Sequence, residues 1–246
     1  MKAVILAAGR GKRLAPYTDA VPKPMVQVGG APLLSHILDR LKAVGIQEVY
    51  LVVHYLAEKI EAHFGDGAGI GMRLSYLRQK SPTEGTANAL LLAEPFVSDA
   101  PFMMCWGDIV TDASEYRRVI DRFREGDCDA VMIANYQEDI SAGGAVYKEA
   151  GGRVTRIVEK APPGTQTTHW NNGGIFVFSP DVFDHLRRTP LSPRGEREIP
   201  QTLQLMIDAG RKVYAVEMEH ERLDLTRPED VPRVDQILRQ STKYKM

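Results

Sequence analysis

Short apolar runs alternate with segments whose apolar positions recur at helical spacing through the first two-thirds of the chain. Ala3 to Ala8 is an unbroken apolar run and predicts a buried strand. In residues 32–45, Leu34, Ile37, Leu38, Leu41 and Val44 share one helical face, and Gly45 supplies a stop. Residues 48–53 then read as strand and 56–65 as helix, the βαβ rhythm of a parallel sheet. The alternation continues with strand at 72–77, helix at 85–96, strand at 101–106, helix at 114–126 and strand at 129–136.

Beyond that point the rhythm changes. Residues 143–160 read as two strands around a turn at Gly151-Gly152, and 173–179 as another, so antiparallel pieces join the parallel sheet. Helix (198–210), strand (212–218) and a last helix from about Pro228 to Leu238 close the chain. The predicted class is α/β, a Rossmann-like three-layer αβα arrangement with a mixed, mostly parallel central sheet. With no internal repeat or low-complexity linker, one domain over 1–246 is the economical reading: a first half at 1–136, a second at 137–227, and a C-terminal helix and tail at 228–246.

Composition changes this picture little. The chain has 246 residues, 43% hydrophobic and 26% charged, with net charge −1, so no global basic footprint for nucleic acid is present. No apolar stretch approaches a membrane span, and the short N-terminal run does not resemble a secretory leader, which predicts a cytoplasmic protein without membrane or nucleic-acid partners. Cys105 and Cys128 lack metal-ligand or CxxC spacing and read as reduced core thiols.

The candidate chemistry lies in LAAGRGKRLAPYTDAVPKPM, residues 6–25. Backbone N–H groups of a glycine-rich turn after a strand can face phosphate oxygens, and nearby cations add charge-assisted bonds. A Walker loop fails because Leu6 and Arg13 stand where glycine and Ser or Thr are needed; a dinucleotide fingerprint fails because Leu14 stands where its last glycine belongs. What remains is Gly9-x-Gly11-x-Arg13, then a connection in which Pro22 and Pro24 hold Lys23 in an extended segment. So long a connection in a compact domain is usually functional.

This stretch, continuing into VGGAPLL, resembles the signature of sugar-1-phosphate nucleotidyltransferases, a family that includes glucose-1-phosphate thymidylyltransferase. The resemblance implies that Leu6, Ala8, Gly9 and Gly11 line the nucleotide, that Arg13 grips the triphosphate and departing pyrophosphate, and that Lys23 serves the reacting phosphates. RQKSPTEGTANAL is similar to the family's base-recognition segment, which assigns Gln79, Gly85 and Thr86 to the nucleotide. Gly85 read without the resemblance is a helix N-cap.

Asp108 follows an apolar strand in MMCWGDIVTD, the end of a strand at which open α/β sheets bind ligands. The resemblance makes Asp108 and Asp224 the ligands of Mg²⁺, which commonly takes one or two carboxylates plus phosphate oxygens and waters. Around Asp224 the pattern departs from the family: the usual Asp-x-Gly-Thr-Pro reads Asp-Leu-Thr226-Arg-Pro, and a tryptophan often found just upstream is missing, with Arg222 nearby. For the sugar phosphate the resemblance offers Gly144, Glu159, Lys160, Asn172 and Gly173, with Glu196 and Glu198 as structural residues.

The implied reaction transfers a nucleotidyl group from a nucleoside triphosphate to a sugar 1-phosphate by direct attack on the α-phosphorus, releasing pyrophosphate. Gln79 suits thymine or uracil, so dTTP or UTP is favoured; GTP or CTP with another sugar or cyclitol phosphate is the alternative. A homo-oligomer is compatible with this reading. The rivals from other classes are a glycosyltransferase, whose Asp-x-Asp would be Asp127-Cys128-Asp129, and a regulatory module that keeps the fold without turnover. The first suffers because that triplet precedes its strand and reads as a turn, the second because Arg13, Lys23, Asp108 and Asp224 are all present. Residues 239–246 leave no room for the β-helix domain of longer relatives, so a short single-activity form is expected.

Overall fold

The computed structural model describes residues 1–81, 84–138, 143–160, 164–192 and 194–240. Parts of the segments singled out above, namely Pro82-Thr83, Ser141-Ala142, Ala161-Pro162, Pro193 and the tail 241–246, lie outside the described residues. The chain divides into two compact units. The first comprises Met1–Pro82, Cys105–Tyr116 and His220–Met246, and the second Thr83–Met104 and Arg117–Glu219.

In the first unit, strands Ala3–Ala7, Glu48–Val53 and Arg73–Arg78 pair in parallel, with Ala3 opposite Val49 and Glu48 opposite Arg73. Ala3, Val4 and Ile5 are wholly buried, as are Leu51, Val52 and Val53; an all-apolar run is what a strand covered on both faces requires. Helix Leu33–Ala43 buries Leu34, Ile37, Leu38 and Leu41, the stripe read from the sequence. The C-terminal helix Asp230–Gln240 buries Val231, Val234 and Leu238. It docks where the Gly29 N–H donates to Asp235 Oδ1 at 2.9 Å. Gly29, at φ +63°, could carry no side chain there, because a Cβ would lie 2.6 Å from that of Leu238.

The second unit is built on antiparallel pairing. Strand Trp170–Phe178 pairs with Ala130–Tyr136 and with Gly144–Lys148, which pairs in turn with Val154–Glu159, while Val213–Glu217 runs parallel to Ala130–Tyr136. The turn at Gly151-Gly152 forms as predicted, closed by the Glu149 N–H on the Arg153 carbonyl at 2.9 Å. Helix Ile199–Asp208 lies on the hairpin, where Gln204 Oε1 accepts the Ile157 N–H at 2.7 Å. The fold is α/β with a mixed, partly parallel central sheet.

Several details differ from the sequence reading. The helix at 85–96 is two pieces, Gly85–Leu91 and Glu94–Val97, and Pro95 in the first turn of the second explains the break. The strand expected at 173–179 begins three residues earlier, at Trp170. Within the long glycine-rich connection the chain makes short 3₁₀ turns at Lys12–Leu14 and Lys23–Met25 and a small hairpin, Gln27–Val28 with Ala31–Pro32. Cys105 is buried, but Cys128 is only half-buried. Asp127 and Asp129 are tied to Lys212 and Arg211, which leaves the Asp-x-Asp triplet as a paired surface turn. Among the described residues, no helix is long and apolar enough to cross a membrane.

Candidate active site

Three residues predicted from sequence meet in the first unit. Gly107 follows strand Phe102–Trp106 and donates its N–H to the Leu6 carbonyl at 2.9 Å. A Cβ at Gly107 would lie 2.9 Å from that oxygen and 3.0 Å from Ala7 Cβ, so only glycine lets the chain pass here and set Asp108 beside the end of strand Ala3–Ala7. Asp224 reaches the same place by pairing: the two-residue strands Leu223–Asp224 and Ile109–Val110 run antiparallel, Asp224 opposite Ile109. The segment leading to Asp224 is pinned further, since Thr111 Oγ1 donates to the Glu221 carbonyl at 3.0 Å. The fully buried Glu115 accepts the His220 N–H at 2.8 Å.

Lys23 comes to this pair from the glycine-rich connection. Its Nζ lies 2.6 Å from Asp108 Oδ2 and 3.8 Å from Asp224 Oδ1, and its side chain is 13% exposed. Gly11, at φ +66°, packs on the Lys23 stem, where a Cβ would lie 3.2 Å from Lys23 Cβ. The Gly11 carbonyl accepts from the Leu14 N–H and the Thr18 hydroxyl, each at 2.9 Å. Gly9 and Arg13 are exposed and stand outside the cluster. Leu6 and Ala8 flank the end of the first strand, and Gln79 is buried with its carbonyl bound to His54 Nδ1 at 2.7 Å.

The electrostatics of the two carboxylates diverge. Burial works against the charge of Asp108, but the adjacent Lys23 ammonium outweighs it and holds the carboxyl below its ordinary range. Asp224 is pushed up, first by burial and then by the charge of Asp108, against the opposing pull of Arg222 and Lys23. Its Oδ1 is buried with no hydrogen-bond partner among the described residues and faces a cation already. Two convergent carboxylates, one with an unsatisfied oxygen, suit a hard divalent cation that also takes phosphate oxygens and waters. Among the described residues no group of three or more His, Cys, Asp or Glu side chains is placed to hold a metal by itself.

Arg222 also belongs to this cluster, though sequence reading left it without a role. Its Nη2 donates to Asp224 Oδ2 at 3.0 Å. The signal was available: residues two apart in an extended segment face the same side, so Arg222 had to accompany Asp224.

The residues assigned to the sugar phosphate, with Gly85 and Thr86, lie in the second unit. Gly144 is opposite Glu159 in the hairpin, and a Cβ there would lie 2.9 Å from Glu159 Oε2, so the glycine makes room for that carboxylate. Glu159 is held above its ordinary range, first by burial and then by Glu198. Glu198 is itself paired with Arg194. Lys160 is exposed and has a left-handed backbone, φ +46°. Asn172 Oδ1 accepts the Gly174 N–H at 2.9 Å, and Gly173 lies against Ile133, whose Cγ2 a Cβ would approach to 2.5 Å.

Gly85 and Thr86 are engaged with the chain itself. At φ +86°, a Cβ on Gly85 would sit 2.2 Å from the Arg197 carbonyl oxygen, and Thr86 Oγ1 accepts the Ile199 N–H at 3.0 Å. The close approach at Gly85 is thus to the main chain of Arg197.

An α/β fold with two acidic residues and a lysine converging at the end of its first strand suits a protein that handles phosphates together with a divalent cation. The family model for nucleotidyl transferases matches residues 2–244. The chain belongs to that family and is a sugar-1-phosphate nucleotidyltransferase. It is 34% identical to a UTP–glucose-1-phosphate uridylyltransferase of Haloferax volcanii over 98% of both chains. It is 32% identical to a glucose-1-phosphate thymidylyltransferase of Streptomyces griseus, over 99% of this chain and 67% of that one. A mannose-1-phosphate guanyltransferase beta-B of Xenopus laevis is 31% identical, over 94% of this chain and 62% of its own length. Among solved structures, a putative glucose-1-phosphate thymidylyltransferase of Bacillus anthracis superposes with a TM-score of 0.88 at 24% identity, covering 99% of this chain and 98% of that one.

Proposed function

We propose that this enzyme transfers a uridylyl or thymidylyl group from UTP or dTTP to a sugar 1-phosphate with the help of Mg²⁺ at Asp108 and Asp224. The observation that carries this reading is the convergence of Lys23 Nζ on Asp108 and Asp224, at 2.6 and 3.8 Å, at the end of the first strand of a nucleotidyl transferase. A pyrimidine nucleotide is supported by Gln79, a buried amide with both a donor and an acceptor. The uridylyltransferase named for UTP, which the chain matches over 98% of both lengths, supports it too.

In the reaction a phosphate oxygen of the sugar 1-phosphate attacks the α-phosphorus. A new P–O bond forms as the bond from that phosphorus to the α–β bridging oxygen breaks, and pyrophosphate leaves with the electron pair. The nucleophile is already anionic, so no general base is required, and catalysis is positioning and charge neutralisation. Bound Mg²⁺ supplies charge neutralisation at phosphate oxygens. Lys23 supplies positive charge to the reacting phosphates, and the exposed Arg13 meets the outer phosphates. Glu159 accepts from sugar hydroxyls, Asn172 donates through its Nδ2, and Lys160 meets the 1-phosphate, with the backbone at Gly144 and Gly173 allowing close approach.

Pyrophosphate release measured with UTP, dTTP, GTP, CTP and ATP, each against glucose 1-phosphate, galactose 1-phosphate and mannose 1-phosphate, tests the proposal. The expected result is turnover with UTP or dTTP exceeding that with the other three. Preference for a purine triphosphate would refute the base assignment.

A further inference from the structure

Arg222 is the one member of the acidic cluster that the reaction above does not use. Its side chain is 14% exposed and donates from Nη2 to Asp224 Oδ2 at 3.0 Å, while its Nε is buried without a hydrogen-bond partner among the described residues. On the other side of the same carboxylate, Oδ1 faces Lys23 at 3.8 Å. Two carboxylates, Asp108 and Asp224, therefore stand against two fixed cations, Lys23 and Arg222, and the cluster is neutral before any metal arrives.

We infer that Arg222 is a built-in counter-charge for Asp224 that makes divalent-ion binding depend on the nucleoside triphosphate. A free divalent cation approaching this cluster meets a neutral site with a guanidinium a few ångströms away, and the repulsion offsets the attraction of the carboxylates. A cation arriving with a triphosphate meets a different balance, because the phosphates add negative charge that Lys23 and Arg222 can share. Arg222 thus acts as a positioning residue that strengthens the dependence of the cation on the triphosphate beyond their direct coordination.

This inference rests on the proposed reading of Asp108 and Asp224 as metal carboxylates, and the experiment separates the two. Mn²⁺ bound to the protein is measured by its retention in equilibrium dialysis, alone and with UTP or dTTP, against protein-free samples of the same Mn²⁺–triphosphate mixture and with no sugar phosphate present. Wild type, Arg222→Gln, Arg222→Lys and Asp224→Asn are compared. Wild type should bind Mn²⁺ weakly alone and much more tightly with the triphosphate. Arg222→Gln keeps a hydrogen-bond donor but loses the charge, and should tighten nucleotide-free binding by roughly tenfold, shrinking the gap between the two conditions. Arg222→Lys should behave as wild type. If Arg222→Gln does not fold, Arg222→Met takes its place with the same expectation.

Wild-type affinity that is equal with and without triphosphate would overturn the inference. So would nucleotide-free affinity unchanged in both neutral variants. Asp224→Asn must lose the nucleotide-dependent binding; if it keeps it, the metal assignment itself is wrong, and the inference falls with it.

Discussion

Acidic side chains occur in both units, yet they meet different amounts of compensating charge. In the first, Asp108 and Asp224 are met directly by Lys23 and Arg222, which hold Asp108 below its ordinary range while Asp224 is still pushed up by burial and by Asp108. In the second, Glu159 faces Gly144 and is held above its ordinary range, first by burial and then by Glu198, against weaker opposing pulls from Lys160 and from Arg194, which is paired with Glu198. The first arrangement suits highly charged ligands, whose phosphates and cation can exchange partners with groups already present. The second suits a neutral polyol, because hydroxyl donors satisfy a half-buried carboxylate without adding charge. The difference lies in how much compensating charge each unit supplies, since the residue types are nearly the same.

The comparison breaks most readily at Asp108. Asp108→Asn should lower the turnover number for pyrophosphate release by about a thousandfold at saturating substrates and Mg²⁺ while the circular dichroism spectrum stays native; near wild-type turnover would remove Asp108 from the mechanism. Gly85→Ala tests the second unit's frame. A Cβ 2.2 Å from the Arg197 oxygen, at φ +86°, has no room. The change should cost about 3 kcal/mol in denaturant unfolding, and a cost below about 0.5 kcal/mol would mean that this approach is not rigid.

Glu159→Gln sharpens the contrast in charge. The Michaelis constant for the sugar phosphate should rise about tenfold with the turnover number little changed, the signature of lost substrate binding. Stability should move the other way. The raised folded pKa of Glu159 means that the native state holds its proton more tightly than the unfolded chain does, so wild-type stability falls as pH rises through that pKa. The glutamine variant lacks this loss. Its Tm should exceed that of wild type by roughly 2 °C at pH 7, and the difference should vanish as pH drops below the ordinary glutamate range; a constant difference at all pH values would exclude the titration as its cause.

The smallest effect is expected at Thr226, which stands where the family usually has glycine. Its N–H and that of Arg227 donate to Asp230 Oδ2 at 2.8 and 2.7 Å, so the turn is held by main-chain donors that any residue supplies, and the Thr226 side chain adds only the smallest of the pulls that lower Asp224. Thr226→Gly should change turnover by no more than about twofold and cost about 0.5 kcal/mol through chain entropy. A larger loss of turnover would show that the threonine side chain matters to Asp224.

Local pattern determined a good deal by itself. The all-apolar run at Ala3–Ala7 and the stripe on Leu33–Ala43 announce their elements, because strand and helix impose periods that only matching sequences can bury. The turn at Gly151-Gly152 was equally legible, since Gly152, at φ +80°, takes a conformation few residues can. The residue types for phosphate and metal chemistry, Lys23, Asp108 and Asp224, stood out beside their motifs. The tertiary structure alone decided who meets whom. Asp108 and Asp224 are joined by a two-residue strand pair too short to carry a periodic signal, and Lys23 closes on both from a connection whose path is set by packing against Gly11. It also decided that Gly85 makes room for the main chain of Arg197 and that Arg222 is part of the cluster. Periodicity reports a residue's own environment over a few neighbours, whereas charge compensation depends on groups some two hundred positions apart that only folding brings within Coulombic range.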